Sequence, residues 1–216
     1  MIILIFILFI LHTLYKNNRS VGGRPFVKRN QELSWLSNFH PNNLLKKMGE
    51  KQVPVSQYKD KDPYNAAKIL SIKLNEFLNN DYIKYFPDHK KNDRYQIKLQ
   101  IFKPYPGFLR ISSSNWKFPF HFDCTENVII QLYGKRKFIL KKSNKKTEYM
   151  LNPGDILYIP MSYYHSVKEY SGSNLSIMCS FDVTKEGKSQ KVKQCTRKFD
   201  KLWPIQSKKC TTNNCL

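Results

Sequence analysis

Apolar and polar residues alternate with a period of two through most of the second half of the chain. The runs YQIKLQIF (95–102), GFLRIS (107–112), FPFHF (118–122), NVIIQLY (127–133), KRKFILK (135–141), DILYIP (155–160), SVKEY (166–170) and NLSIMCSFDV (174–183) each predict a short strand. Gly134-Lys135 reads as a tight hairpin, and Asn152-Pro153-Gly154-Asp155 as a second turn entering DILYIP. Many short strands at near-regular spacing are the mark of a sandwich or barrel. Upstream the period lengthens. Pro63 to Asn79 places Ala66, Ala67, Leu70, Leu74, Phe77 and Leu78 at helical spacing, which predicts an amphipathic helix with its apolar stripe in the core. Glu32 to Gly49 reads as a turn and a short helix, capped by Asn42 or Asn43 ahead of Leu44 and Leu45. QVPVSQ (52–57) alternates as a strand, and Pro54 assigns it to a sheet edge. The expected fold is mainly β with N-terminal helices: one domain over 31–184, helices first and then a jelly roll.

Outside that domain the pattern changes twice. MIILIFILFILHTLY (1–15) is almost purely apolar, shorter than the ~20 helical residues that span a bilayer comfortably, yet long enough for a short anchor or a signal core. Lys16, Arg19, Arg24, Lys28 and Arg29 follow it in a basic linker, 16–30, which would hold the body of the protein on the cytoplasmic side. The expectation is a membrane-anchored protein, a transmembrane helix with a cytoplasmic body. Cleavage as a signal peptide is the second reading and implies a lumenal or secreted protein. The segment 185–216 is a Lys-rich polar tail.

Composition adds a large charge: 37 Lys+Arg against 16 Asp+Glu give +21 over 216 residues. A polyanionic partner, nucleic acid or an acidic membrane surface, would explain it. The abundance of Lys, Asn, Ile and Tyr offers a compositional source equally well, because the lysines are dispersed and form no stripe. Five cysteines without a CxxC pair argue against a structural zinc site. Asn18-Arg19-Ser20 and Asn174-Leu175-Ser176 match the glycosylation sequon, a pattern short enough to recur by chance.

The chemistry concentrates in three residues. His121 and Asp123 are two apart on a predicted strand and so share a face. His165 follows after 44 residues, a separation that one hairpin and a further turn can fold back. Two imidazoles and one carboxylate in that order match the facial triad of non-haem iron oxygenases, which leaves coordination positions open on one side. A tetrahedral zinc site with one water is the chemical alternative. Singly, each residue has a blander reading as a turn histidine or a surface carboxylate.

The stretch Pro119 to Val183 resembles the JmjC, or cupin-8-type, Fe(II)/2-oxoglutarate oxygenases, a family that includes asparaginyl hydroxylases and the tRNA wybutosine hydroxylase. FHFD (120–123), Asn127, GKRKFIL (134–140) and PGDILYIPMSYYHSV (153–167) carry the resemblance, and the upstream segment WLSNF…LLKKMGEKQVPV adds to it more weakly. The resemblance implies a double-stranded β-helix with iron on His121, Asp123 and His165, and with 2-oxoglutarate and molecular oxygen on the open side. It also implies that Arg136, where the family usually carries lysine, holds the far carboxylate of 2-oxoglutarate. Asn127 matches a polar residue that contacts this cosubstrate, and Ser180 stands where many members carry asparagine. Phe118 departs from the pattern, since a hydroxyl residue is common there. Strand parity agrees with an inward Arg136, because it shares a face with Phe138 and Leu140. Tyr163, Tyr164 and Trp116 read as wall and packing residues. The implied activity is hydroxylation or demethylation of a protein side chain or an RNA base. A non-catalytic cupin-like binding protein at a membrane is the rival from another class.

Overall fold

The computed structural model describes residues 24–182, apart from residues 34–35, 63, 103–106, 115, 122, 124, 162 and 170–174. Twelve strands form from these residues: β1 (Phe26–Lys28), β2 (Gln52–Tyr58), β3 (Lys68–Lys73), β4 (Arg94–Phe102), β5 (Gly107–Ser113), β6 (Lys117–His121), β7 (Asn127–Tyr133), β8 (Arg136–Lys142), β9 (Lys145–Leu151), β10 (Ile156–Ile159), β11 (Tyr164–Glu169) and β12 (Leu175–Asp182). They make two antiparallel sheets, an eight-stranded one in the order β1-β10-β7-β12-β5-β4-β2-β3 and a four-stranded one in the order β6-β11-β8-β9. From β5 onward the chain crosses repeatedly between them: β5 large, β6 small, β7 large, β8 and β9 small, β10 large, β11 small, β12 large.

Alternation along the large sheet separates two cores. Val55, Ile97, Leu109, Ile111, Ile130, Ile156, Ile177 and Cys179 point to one face, where Leu44, Leu74 and Phe77 of two short helices cover them. Those helices are α1 (Pro41–Met48) and α2 (Leu74–Leu78). Side chains one residue along, Ile129, Leu157, Ile159 and Met178, point the other way and meet Phe138, Leu140, Leu151 and Val167 of the small sheet. Burial pushes the Cys179 thiol up to about 12, so it is a packing group and a poor nucleophile.

Several elements differ from expectation. The helix predicted over Pro63–Asn79 is instead β3 followed by α2. KILSIK carries β-branched Ile69 and Ile72, and pairing of the whole of β3 with β2 supplies backbone bonds that a lone helix would have to make for itself. This also moves β2 off the edge. Pro54 is tolerated because pairing with β4 begins only at Val55, leaving Pro54 opposite Ser71 of β3 alone. The first helix is capped by His40, whose Nδ1 accepts from the Asn42 amide, with Pro41 opening the first turn. β1 forms inside the segment read as linker. Phe26 stacks on Tyr158 with ring centroids 5.2 Å apart, and Asp155, fully buried, accepts from Arg29 (2.6 Å) and from the Asn30 amide (3.0 Å). Gly154, at φ +88°, lies so close to Gln31 that a Cβ would stand 2.9 Å from its carbonyl oxygen. β9 went unpredicted because it is the outer strand of the small sheet and, within KKTEYML, only Leu151 is buried.

Among the described residues no helix is long and apolar enough to cross a membrane. The apolar run 1–15, most of the linker, the tail 185–216, both sequon asparagines and Cys124, Cys195, Cys210 and Cys215 lie outside the described residues.

Leu157 is fully buried between the sheets and Ile69 is 60% exposed on β3. Leu157→Ala is expected to cost about 2–5 kcal/mol in urea unfolding, and Ile69→Ala less than about 0.5 kcal/mol.

Candidate metal centre

The register of β6 and β11 sets His165 directly opposite His121, and the two imidazole centroids are 4.2 Å apart. Residues opposite each other on neighbouring strands share a face, so both rings enter the gap between the sheets. A register shift between His165 and Val167 marks a bulge beside the site, a device that re-aims side chains. His165 therefore belongs to a strand of the small sheet and not to the turn after Pro160. Asp123 follows the end of β6 and turns its Oδ2 to 3.6 Å from His165 Nε2. Asn127, first in β7, donates from Nδ2 to the same oxygen at 2.7 Å and fixes the carboxylate.

Both histidines are oriented from behind. The Nδ1–H of His121 donates to the Pro119 carbonyl at 2.9 Å, and that of His165 to the Tyr163 carbonyl at 3.0 Å. A carbonyl can only accept, so the proton sits on Nδ1 and the Nε2 lone pair of each ring is left for a ligand. One donor atom from each of the three residues lies within 4.8 Å of the others. Adjacent donors ~2.1 Å from one ion stand about 3 Å apart, so small side-chain rotations bring these three onto a metal. Burial, and then the neighbouring His165, push His121 down to about 4, keeping its ring neutral, the form in which imidazole binds metals. Two imidazoles and one carboxylate suit iron or zinc alike.

The triad opens into a cavity of about 500 Å³ between the sheets. One wall is aromatic. Trp116 and Phe118 stack nearly parallel (15°, 6.4 Å), Tyr58 meets Trp116 edge-on, and Tyr64 meets Phe118 edge-on. The opposite wall is the inner face of β4, β5, β12 and β7, which offers Gln96, Lys98, Arg110, Ser180 and Asn127. Five of the six residues singled out from the sequence, His121, Asp123, His165, Asn127 and Ser180, thus line one space. Arg136 is inward-facing and fully buried, as its parity implied, but it is not on the cavity wall. Its Nη1 donates to Met178 Sδ at 2.9 Å, and the Met178 side chain is what reaches the cavity. Of the aromatic residues noted beside the motif, Trp116 forms wall, Tyr163 packs under Lys142, and Tyr164 is exposed.

The residue the sequence reading passed over is Arg110. It lies mid-strand between two core residues, Leu109 and Ile111, on the polar face of GFLRIS. Alternation alone assigns that face to solvent, and only the second sheet turns it into a cavity wall. No protein-family model matches this chain, and no curated protein matches it.

Mn(II) is expected to bind at one equivalent per chain. His121→Ala, Asp123→Ala and His165→Ala should each remove that binding in calorimetric titration. Asn127→Ala, which frees the carboxylate without deleting a ligand, should weaken it about 10–100-fold.

Proposed function

We propose that the protein is an Fe(II)- and 2-oxoglutarate-dependent oxygenase of the JmjC or cupin type, built on a double-stranded β-helix. The order of the sheets supports the fold reading. β5-β12-β7-β10 inside the large sheet face β6-β11-β8-β9, and the chain alternates between the two as a jelly roll does. The observation that carries the functional reading is that donor atoms of His121, Asp123 and His165 lie within 4.8 Å of one another and that all three residues line the cavity between the sheets.

His121, Asp123 and His165 would hold the iron, which with 2-oxoglutarate would supply oxygen activation for hydroxylating a substrate C–H bond, with succinate and carbon dioxide as coproducts. The chain's own residues do the positioning. His121 and His165 present Nε2 because Pro119 and Tyr163 hold Nδ1. Asn127 keeps Asp123 turned toward His165. Tyr64, Trp116 and Phe118 exclude water from one side, and the Tyr64 hydroxyl donates to the Phe120 carbonyl on β6 at 3.3 Å, tying this wall to the strand that carries His121. The substrate class follows the resemblance: a protein side chain or an RNA base.

The decisive experiment supplies Fe(II), 2-oxoglutarate and oxygen and follows succinate with and without candidate protein and RNA substrates. Succinate release that His165→Ala abolishes supports the reading. Wild-type protein that binds neither metal nor 2-oxoglutarate overturns it in favour of a binding module. The apolar run 1–15 is proposed to anchor this domain at a membrane, so full-length chain should pellet with membranes and a version starting at Arg24 should not.

A further inference from the structure

The outer face of the small sheet, turned away from the large one, gathers lysines that are far apart in sequence. Because His165, Val167, Phe138 and Leu140 point inward, Tyr164, Lys168, Lys137, Ile139 and Lys141 point outward. The register then aligns three cations. Lys117 of β6 stands opposite Lys168 of β11, and Lys168 opposite Lys137 of β8. A second rung sets Tyr164 opposite Lys141, and Lys141 opposite Lys146 of β9. Directly opposed side chains are ~5 Å apart at Cβ, so like charges there repel. The rungs lie ~13 Å from each other along the strands. Counter-charges are few: Glu148 is shared by Lys137 (2.6 Å) and Lys146 (2.9 Å), and Asp60 meets Lys117 at 3.0 Å. Among the described side chains of this face, five lysines against those two carboxylates leave three positive charges in excess.

Such a surface fits a polyanion, and two features select an anionic bilayer over a nucleic acid. The first is its chemistry. The described cations of this face are all lysines, without the guanidinium fork that grips a phosphate side-on. Apolar groups lie among them: Ile139 and Met150 are half-buried, and Tyr164 (37%) and Phe120 (39%) are exposed. Lysine stems and aromatic rings in this mixture suit the headgroup layer of a bilayer. The second feature is position. Arg29, just past β1, donates to the Met150 carbonyl on β9, so the chain enters the domain beside this sheet. The apolar run 1–15 is separated from β1 by residues 16–25, which can span at most ~35 Å.

We propose that the outer face of the small sheet lies against a membrane rich in anionic lipid, with its two lysine rungs at the headgroups. The inference rests on the membrane reading of the run 1–15 and names the surface that meets the bilayer. No single lysine decides it, because several charges close to an anionic surface act together. The contact does not cover the cavity, since His121 and His165 project from the opposite face of the same sheet.

The test measures binding of the full chain to phosphatidylcholine vesicles with and without phosphatidylserine, and to a short single-stranded RNA, with the Tm of each variant recorded. The triple variant Lys137→Gln, Lys141→Gln, Lys168→Gln is expected to weaken binding to the phosphatidylserine vesicles at least about tenfold. On neutral vesicles it should stay within about threefold of wild type. Lys46 and Lys47 of α1, with Lys51 beyond it, supply a charge-matched control on the helix-covered side of the large sheet. Replacing those three by Gln should change either affinity less than about threefold. Lys168→Glu, which sets a carboxylate between Lys117 and Lys137, should keep or raise the Tm and still weaken binding to the phosphatidylserine vesicles. A face variant that binds these vesicles as wild type does, or loses no more than the helix-side control, overturns the assignment. A face variant that loses RNA but keeps the vesicles overturns it in favour of a nucleic acid. Wild-type protein that ignores neutral vesicles overturns the anchoring role of 1–15 alone, and the phosphatidylserine-dependent loss still decides the face.

Discussion

The pairing of β11 with β6 is the constraint on which the site depends. Because His165 stands opposite His121, a slip of one residue in that register would turn one imidazole out of the gap. The neighbouring pairing makes such a slip expensive. His165 is also opposite Leu140 of β8, and Val167 opposite Phe138, so a shift would carry buried apolar side chains to the wrong face together with the ligand. The two candidate ligands are thereby held in place by the same contacts that hold the sandwich together. Among the described residues β6 has β11 on one side and no further strand in its sheet on the other, and it is braced from its far end. Arg94, 1% exposed, donates to the carbonyls of Lys117 and Lys59 and lies against the Trp116 ring at 5.8 Å, fixing the start of the strand that ends in His121.

The gap between the sheets is asymmetric, and that asymmetry separates stability from chemistry. Toward β7 and β10 it is filled by Ile129, Leu157, Ile159, Phe138, Leu140 and Leu151, an apolar cluster that keeps the two sheets together. Toward β4 and β5 the same sheet face carries Gln96, Lys98, Arg110 and Ser112, and the space stays hollow. A sandwich interior lined this way forfeits apolar burial at one end. The helix-covered face of the large sheet offsets the loss, since Leu44, Leu74, Phe77, Tyr82 and Phe86 pack there against β2, β4, β5, β7 and β12.

Much of this was legible in the sequence because strands with one apolar face announce themselves by period two. The runs at 95–102, 127–133, 135–141 and 155–160 became β4, β7, β8 and β10 nearly as read, and the inward parity of Arg136 was correct. The His-x-Asp…His spacing was enough to nominate the three residues that the fold brings within 4.8 Å. What failed did so for identifiable reasons. KILSIK followed by LNEFL offers apolar residues compatible with both periods, and the partner strand that decides between them, β2, is remote from any local window. β9 shows too little burial to carry a pattern. Asn127 and Ser180 were found through a resemblance, whereas Arg110 was hidden because a polar strand face looks the same whether it meets water or a cavity.

The buried and half-buried arginines show why net charge is a poor guide to chemistry here. The +21 total is dominated by dispersed side chains such as Lys135, Lys141, Lys142, Lys145 and Lys146, which sit in solvent or pair across a strand surface. Removing any one of them changes little, because exposed charges are screened and hydrated. Arg94 spends its donors on two carbonyls and a ring, which is structural use of a guanidinium. Arg136 is fully buried and lies against the Met178 thioether. Arg110 alone of the three lines the hollow half, beside a second cation and facing the same space as the His121, Asp123 and His165 cluster. A divalent metal there would add positive charge to a wall that already has an excess of it, with Asp123 the carboxylate lining the cavity. On the oxygenase reading proposed above, an anionic cosubstrate would balance that excess of positive charge.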